Sequence, residues 1–219
     1  MSFDFWWCCC TISEEKYRIL KPKFDAADEQ AEIPEKYRET YEMCKASPSS
    51  ILPKYIPFNE LPEDKKKMEM FKNGYIEGKL SNDFSLALNI LEYRELFQQL
   101  PLNENDVLKF ISLGGTTPIS VLYYALLPKV AERLPGFAGN LIVQYSDIDR
   151  VLVEVEDVLK NLNEEAWDRA RRYISVCTAG RPSTQDDEKI EEIFQVLPES
   201  LEETKTRGKC FVSVATHQF

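Results

Sequence analysis

The chain has 219 residues, 43% of them hydrophobic and 29% charged, with a formal net charge of -10. These proportions suit one soluble globular domain whose core needs neither disulfides nor metal. The negative balance argues against nucleic acid as a partner, because phosphate recognition is largely electrostatic and needs basic surface. Ile119 to Leu127, the longest apolar stretch, is nine residues with Ser120 inside it, whereas a membrane span needs about 20. Asp4 interrupts the only early apolar run and no basic residue precedes it. No secretion signal is therefore read, and a cytoplasmic protein with six reduced thiols is expected.

Phe3, Phe5, Trp7 and Cys9 alternate with Asp4, Trp6, Cys8 and Cys10, which predicts a strand apolar on both faces and so a central one. Thr11 with Glu14, and Ser13 adjacent, predict a capped short helix through about Leu20, ended by Pro22. Pro34 suits the first position of a helix in which Tyr37, Tyr41 and Cys44 share a face. The prolines at 48, 53, 57 and 62 then prescribe an irregular segment at about 46–62 that wraps over the domain.

Glu63 to Lys72 is read as a helix with Met68 and Phe71 facing in. Ser81, Asn82 or Asp83 is expected to cap the next one, which carries Phe84, Leu88 and Leu91 inward. Val107 to Leu113 is too short for periodicity to choose between strand and helix. Ile119 to Leu134 reads as a buried helix, kinked or broken at Pro128, and Leu141, Val143 and Tyr145 alternate as a short strand.

The clearest pattern follows. Ser146 and Asp149 read as a capping box for a helix with Ile148, Val151, Leu152, Val155, Leu159 and Leu162 on one face. Asn163 then caps a second helix bearing Trp167, Ala170, Tyr173 and Ile174. Thr184 with Asp187 opens a helix carrying Ile190, Ile193, Phe194, Leu197 and Leu201, with a bend or interruption at Pro198. Gly208 closes it in the left-handed conformation, and Lys209 to Ala215 alternates as a final strand. Residues 1–219 are thus expected to form one α+β domain, several helices on a small mixed or antiparallel sheet with strands from both chain ends.

The second half resembles the YfbM-like family of uncharacterised bacterial proteins. The likeness lies in a short strand before an acidic-capped helix, in Leu162-Asn163-Glu164-Glu165-Ala166-Trp167, and in the Arg207-Gly208 pair before an apolar strand. The aromatic first strand followed by Ile12-Ser13-Glu14-Glu15 is similar too. The chain departs from the family at Asp106 to Pro118, where it has neither Trp nor His. The resemblance implies a compact α+β domain and carries over no activity or catalytic residue.

Cys8, Cys9 and Cys10 are neighbours that cannot all converge on one ion, and no second pair stands at zinc-like spacing. Acylation would need a second membrane signal, such as a basic patch, so buried small apolar residues are the simpler reading. His217, the only histidine, could serve Cys177 or Cys210 as a base, but its terminal position favours a solvent-facing or edge-strand residue. Gly114-Gly115-Thr116-Thr117 precedes a helix yet lacks the lysine and spacing of a phosphate loop, and reads as a turn. No metal and no cofactor are expected.

Arg169, Arg171, Arg172 and Arg181 complement a helix end and can pair with Glu164, Glu165 or Asp168. Arg169, Arg172 and Arg181 are also the candidates for an anion site at the 175–183 loop. Asp186, Asp187, Glu188, Glu191, Glu192, Glu199, Glu202 and Glu203 form an acidic helix face, on which Asp186, Asp187, Glu191 and Glu192 are candidate contacts for a basic protein partner. The leading expectation is a non-enzymatic acidic binding module of immunity or adaptor type. The alternative is an enzyme of unrecognised type using the 175–183 loop.

Overall fold

The two ends of the chain meet in the middle of one antiparallel sheet. In this computed structural model, which describes residues 4–51, 78–89, 93–100, 103, 105–177 and 186–217, β1 (Asp4–Ile12) lies between β2 (Val107–Gly114) and β4 (Cys210–His217). The short β3 (Leu141–Val143) pairs with the far side of β4, so the order is β2-β1-β4-β3. The fold class is therefore the α+β arrangement expected, and Val107 to Leu113 is a strand. Double-sided burial of β1 and β4 follows from their central positions: Trp7, Cys8, Cys9 and Cys10 are fully buried, as are Phe211, Val212 and Val214.

Each face of the sheet carries its own core. Trp7, Cys9, Ile111, Leu113, Phe211 and Ala215 face the larger one, built from α2 (Glu35–Ala46), α3 (Gly78–Ala87), α5 (Pro118–Leu126), α6 (Pro128–Ala131), α7 (Ile148–Leu159), α8 (Glu164–Cys177) and α9 (Asp186–Arg207). Cys8, Cys10, Ile12, Cys210, Val212 and Val214 face the smaller one, covered by α1 (Glu14–Gln30) and α4 (Arg94–Phe97). Among the described residues no helix is long and apolar enough to cross a membrane.

Several local expectations are corrected. Thr11 stays in β1, and Ser13 caps α1, its hydroxyl accepting the Lys16 amide at 3.1 Å. α1 does not stop before Pro22 but runs through it to Gln30. Pro22 sits on the exposed side, while Leu20, Phe24 and Ala27 fall at spacings of four and three on the buried side. Burying Phe24 alone contributes about 1.5–3 kcal/mol, comparable to the roughly 3 kcal/mol cost of an interior proline. The same logic carries α9 unbroken through Pro198, where Val196, Leu197 and Leu201 are buried around it.

Ser146 does not cap α7: Tyr145–Asp147 form a 3-10 turn, and the residue preceding the helix, Asp147, makes no side-chain capping bond. Val158 takes the fully buried place on α7, leaving Leu159 and Leu162 half-buried. Ser81, Asn82 and Asp83 lie inside α3 rather than ahead of it. The Ile119–Leu134 helix is broken, not merely kinked: Leu127 takes φ 71 before Pro128, in keeping with the exclusion of pre-proline residues from helical backbone. The segment at 46–62 is described only to Ile51, where Pro48–Ile51 forms a 3-10 turn. The expected Glu63–Lys72 helix and the Thr184 cap lie outside the described residues.

The end of α9 matches its sequence signal. Gly208 has φ 63 and donates to Lys205, while the Lys209 amide reaches Thr204, the paired bonds of a left-handed helix termination. A methyl group on Gly208 would meet nothing within 4 Å, so substitution strains only the backbone. Gly208→Ala is expected to lower unfolding free energy by about 1 kcal/mol, with Gly208→Asn costing less. Urea denaturation checks both.

Candidate functional site

The helix corner formed by α7 and α8 is built as expected. The Asn163 side chain accepts the Ala166 amide at 3.0 Å, and Ala166, Ala170, Tyr173 and Ile174 are buried. Arg171 and Arg172 thereby fall on the exposed side of α8, and Arg169 lies at the flank of the buried one. Arg169 donates through Nε and Nη2 to the Ala125 carbonyl, at 2.8 and 2.5 Å, and so satisfies an orphan acceptor at the end of α5. Its Nη1 lies 3.8 Å from Glu165. Arg171 bonds Asp187 at 2.7 Å and Asp168 at 3.1 Å, and lies over the Trp167 ring, tying α8 to the start of α9. Arg172 is exposed and has no ion pair among the described residues. Arg181 lies outside the described residues. Of the expected anion-binding trio, Arg169 is thus engaged within the protein and Arg172 stands free.

Beneath the same helix lies a cluster of buried hydroxyls. Tyr173 donates to the Ser81 carbonyl at 2.9 Å, and its oxygen is 3.2 Å from Ser120 and 3.4 Å from Thr116. Thr116 and Ser120 bond at 2.8 Å. The Thr117 amide donates to Ser85 at 2.8 Å, and Thr117 caps α5 by accepting the Ser120 amide. Gly115 fits here because a methyl group would come within 2.9 Å of the Cys177 carbonyl. The Gly114-Gly115-Thr116-Thr117 stretch is therefore a packed turn whose Thr117 amide and two hydroxyls are taken up by Ser85, Ser120 and Tyr173. Burial pushes the Cys177 thiol up to about 11, so at neutral pH it is a neutral thiol and a poor nucleophile.

The other cysteines are more deeply shielded. The Cys8 and Cys10 sulfurs lie 3.4 Å apart on one face of β1, and the Cys8 thiol is held far above its usual range by its bond to Cys10 and by burial. Burial alone pushes the Cys44 thiol up to about 12, and burial likewise pushes up to about 12 the Cys9 thiol, which donates to the Ser213 hydroxyl at 3.5 Å. Among the described residues no group of three or more His, Cys, Asp or Glu side chains could hold a metal ion. His217 is opposite Phe5 at the far end of β4, and six strand residues lie between it and Cys210, a backbone separation of about 23 Å at the usual rise. The two cannot form a dyad.

The acidic face of α9 is solvent-exposed. Asp187, Glu188, Glu191, Glu192, Glu199, Glu202 and Glu203 are all exposed, and Asp186 is half-buried. Asp187 is taken by Arg171, Glu199 by Lys109 at 2.9 Å, and Glu203 by Arg207 at 2.8 Å. Glu188, Glu191, Glu192 and Glu202 have no ion pair among the described residues. Of the four expected partner contacts, Glu191 and Glu192 are therefore available, Asp187 is shared with Arg171, and Asp186 is partly covered. Exposed Val153 and Tyr145, at 64% and 50%, lie on and just before the neighbouring α7. The exposure of Tyr145 was not legible, because the strand alternation placed it in β3 rather than in the turn that follows.

No protein-family model matches the chain, and no curated protein or solved structure matches it at a significant level.

Proposed function

We propose that this chain is a cytoplasmic, non-enzymatic binding module of immunity or adaptor type that engages a basic protein along the solvent face of α9. The observation carrying the proposal is the set of exposed carboxylates at Glu188, Glu191 and Glu192, none of which makes an ion pair among the described residues, although Glu192 lies within the field of Lys109. Glu188 in the first turn complements the helix dipole, but Glu191 and Glu192 stand three and four residues from it, like-charge spacings that each cost a helix about 0.2–0.5 kcal/mol. Such a face raises the encounter rate of a cationic partner and disfavours anionic ones. The engaged Arg169 and the self-satisfied hydroxyl cluster favour this reading over an anion-using enzyme. The resemblance to the YfbM-like family, held here as part of the same proposal, adds no competing activity.

The test is capture of a host protein by the tagged chain at low and high salt, repeated with the Glu188→Lys, Glu191→Lys and Glu192→Lys triple variant. A stoichiometric basic partner lost in high salt and weakened at least about tenfold by the reversal is expected, since electrostatic steering is worth 10–10³ in association rate. A bait that captures nothing, or a partner indifferent to the reversal, overturns the proposal.

A further inference from the structure

A locally cationic cleft lies at the end of the sheet where β1 stops and β2 and β4 begin. Its volume is about 350 Å³, and Ile12, Ser13, Lys16, Gln99, Leu100, Asp106 and Lys209 line it. Three separate stretches of chain are locked together there. Thr11 donates its amide to the Asp106 carbonyl at 2.8 Å, and Lys209 bonds the Asp106 carboxylate at 2.7 Å. Asn103 holds the other carboxylate oxygen at 2.6 Å. Lys209, followed by Asn103, pulls the Asp106 carboxyl below its usual range, so this group is ionised and its charge is already answered.

Lys16 is not answered. Its ammonium has no ion pair or side-chain hydrogen bond among the described residues. It stands in the first turn of the 17-residue α1, where a cation is disfavoured by the helix dipole. The nearest acid in sequence that faces inward, Glu14, is turned away toward Gln144 and Cys210, at 3.0 and 3.1 Å. Among the described lining residues, Lys16 and Lys209 against Asp106 leave one excess positive charge, in a chain of net charge -10. The floor is apolar: Ile12 is 2% exposed and Leu100 7%.

We propose that this cleft binds a small organic carboxylate, its charge on Lys16 and its hydrocarbon body on Ile12 and Leu100. The volume is at the lower end of the range of roughly 300–1,000 Å³ typical of ligand sites, which accommodates a short-chain acid. Lys209 serves as a second donor, held in direction by Asp106.

The probe is hexanoate, titrated into the full chain at constant ionic strength and followed by proton–nitrogen correlation spectra, with acetate as the anion lacking a body. Saturable shifts at Ser13, Glu14, Lys16 and Lys209 are expected with hexanoate, and weaker binding with acetate. Lys16→Ala is expected to weaken hexanoate about tenfold, the loss of one charge-assisted hydrogen bond, while Lys16→Arg retains it. The Lys16 side chain is not part of the core, and Lys16→Gln supplies the same test should the alanine variant fold poorly. Absence of saturable shifts, equal affinity for acetate and hexanoate, or unchanged affinity in Lys16→Ala overturns the proposal. None of these outcomes depends on the acidic face of α9.

Discussion

Trp7→Ala is expected to lower unfolding free energy by about 3–5 kcal/mol, the usual cost of deleting a large buried aromatic. Trp7 is fully buried at the centre of β1 and belongs to the larger core. Its indole N–H donates to the Ser213 hydroxyl at 2.7 Å, and that hydroxyl donates in turn to the Gly139 carbonyl at 2.7 Å. Gly139 has φ 79, and a methyl group there would lie 2.9 Å from Ile119 and 3.2 Å from the Trp7 ring. One side chain thus joins β1, β4, the turn before β3 and the start of α5. Trp7→Phe keeps most of the apolar burial and is expected to cost clearly less than Trp7→Ala. Ser213→Ala instead strands the indole N–H, at about 1–3 kcal/mol. Urea unfolding with unchanged denaturant dependence checks the order, and a Trp7→Ala variant as stable as the parent would show that the sheet is not held through this residue.

The centrality of Trp7 could be read from the sequence because a strand apolar on both faces has only one place to go, the middle of a sheet. β4 was legible for the same reason, and its Gly208 ending because few residues accept a left-handed backbone. Helix limits were less legible wherever a local rule met a tertiary one. Pro22 and Pro198 are helix breakers by local chemistry, yet both lie on helices whose neighbouring residues gain more from burial than the proline costs. Ser81 and Ser146 have the chemistry of caps, but Ser81 sits within α3 beside the Tyr173 hydroxyl, and the 3-10 turn at Tyr145–Asp147 displaces Ser146.

The candidate sites divide along similar lines. The acidic face of α9 was visible because its residues are close in sequence and helical spacing fixes their side. That Arg169 is committed to Ala125 was not visible, since 44 residues separate donor from acceptor. The Lys16 cleft left no local signal at all. Lys16, Asp106 and Lys209 come together only because β1, β2 and β4 share one end, which is a property of strand order and not of any single stretch.

Tyr173→Ala is expected to cost about 3–5 kcal/mol, as much as Trp7→Ala but on the helical side of the larger core. The Tyr173 ring stacks on Tyr124 at 4.8 Å and meets the edge of Phe84 at 6.0 Å. Its hydroxyl is the link between α3, α5 and α8. Tyr173→Phe separates the two contributions: the ring contacts stay, and the hydroxyl's bonds to the Ser81 carbonyl and to Ser120 are lost, at about 0.5–1.5 kcal/mol. This variant also bears on function. Groups held in place for chemistry are commonly destabilising, so that removing them leaves a protein equally or more stable. A loss of stability in Tyr173→Phe is the result expected of a structural hydroxyl network. A gain would mark the Thr116–Ser120–Tyr173 cluster as strained for a purpose, and would restore the enzyme reading beside Arg172 and Cys177 despite the engagement of Arg169.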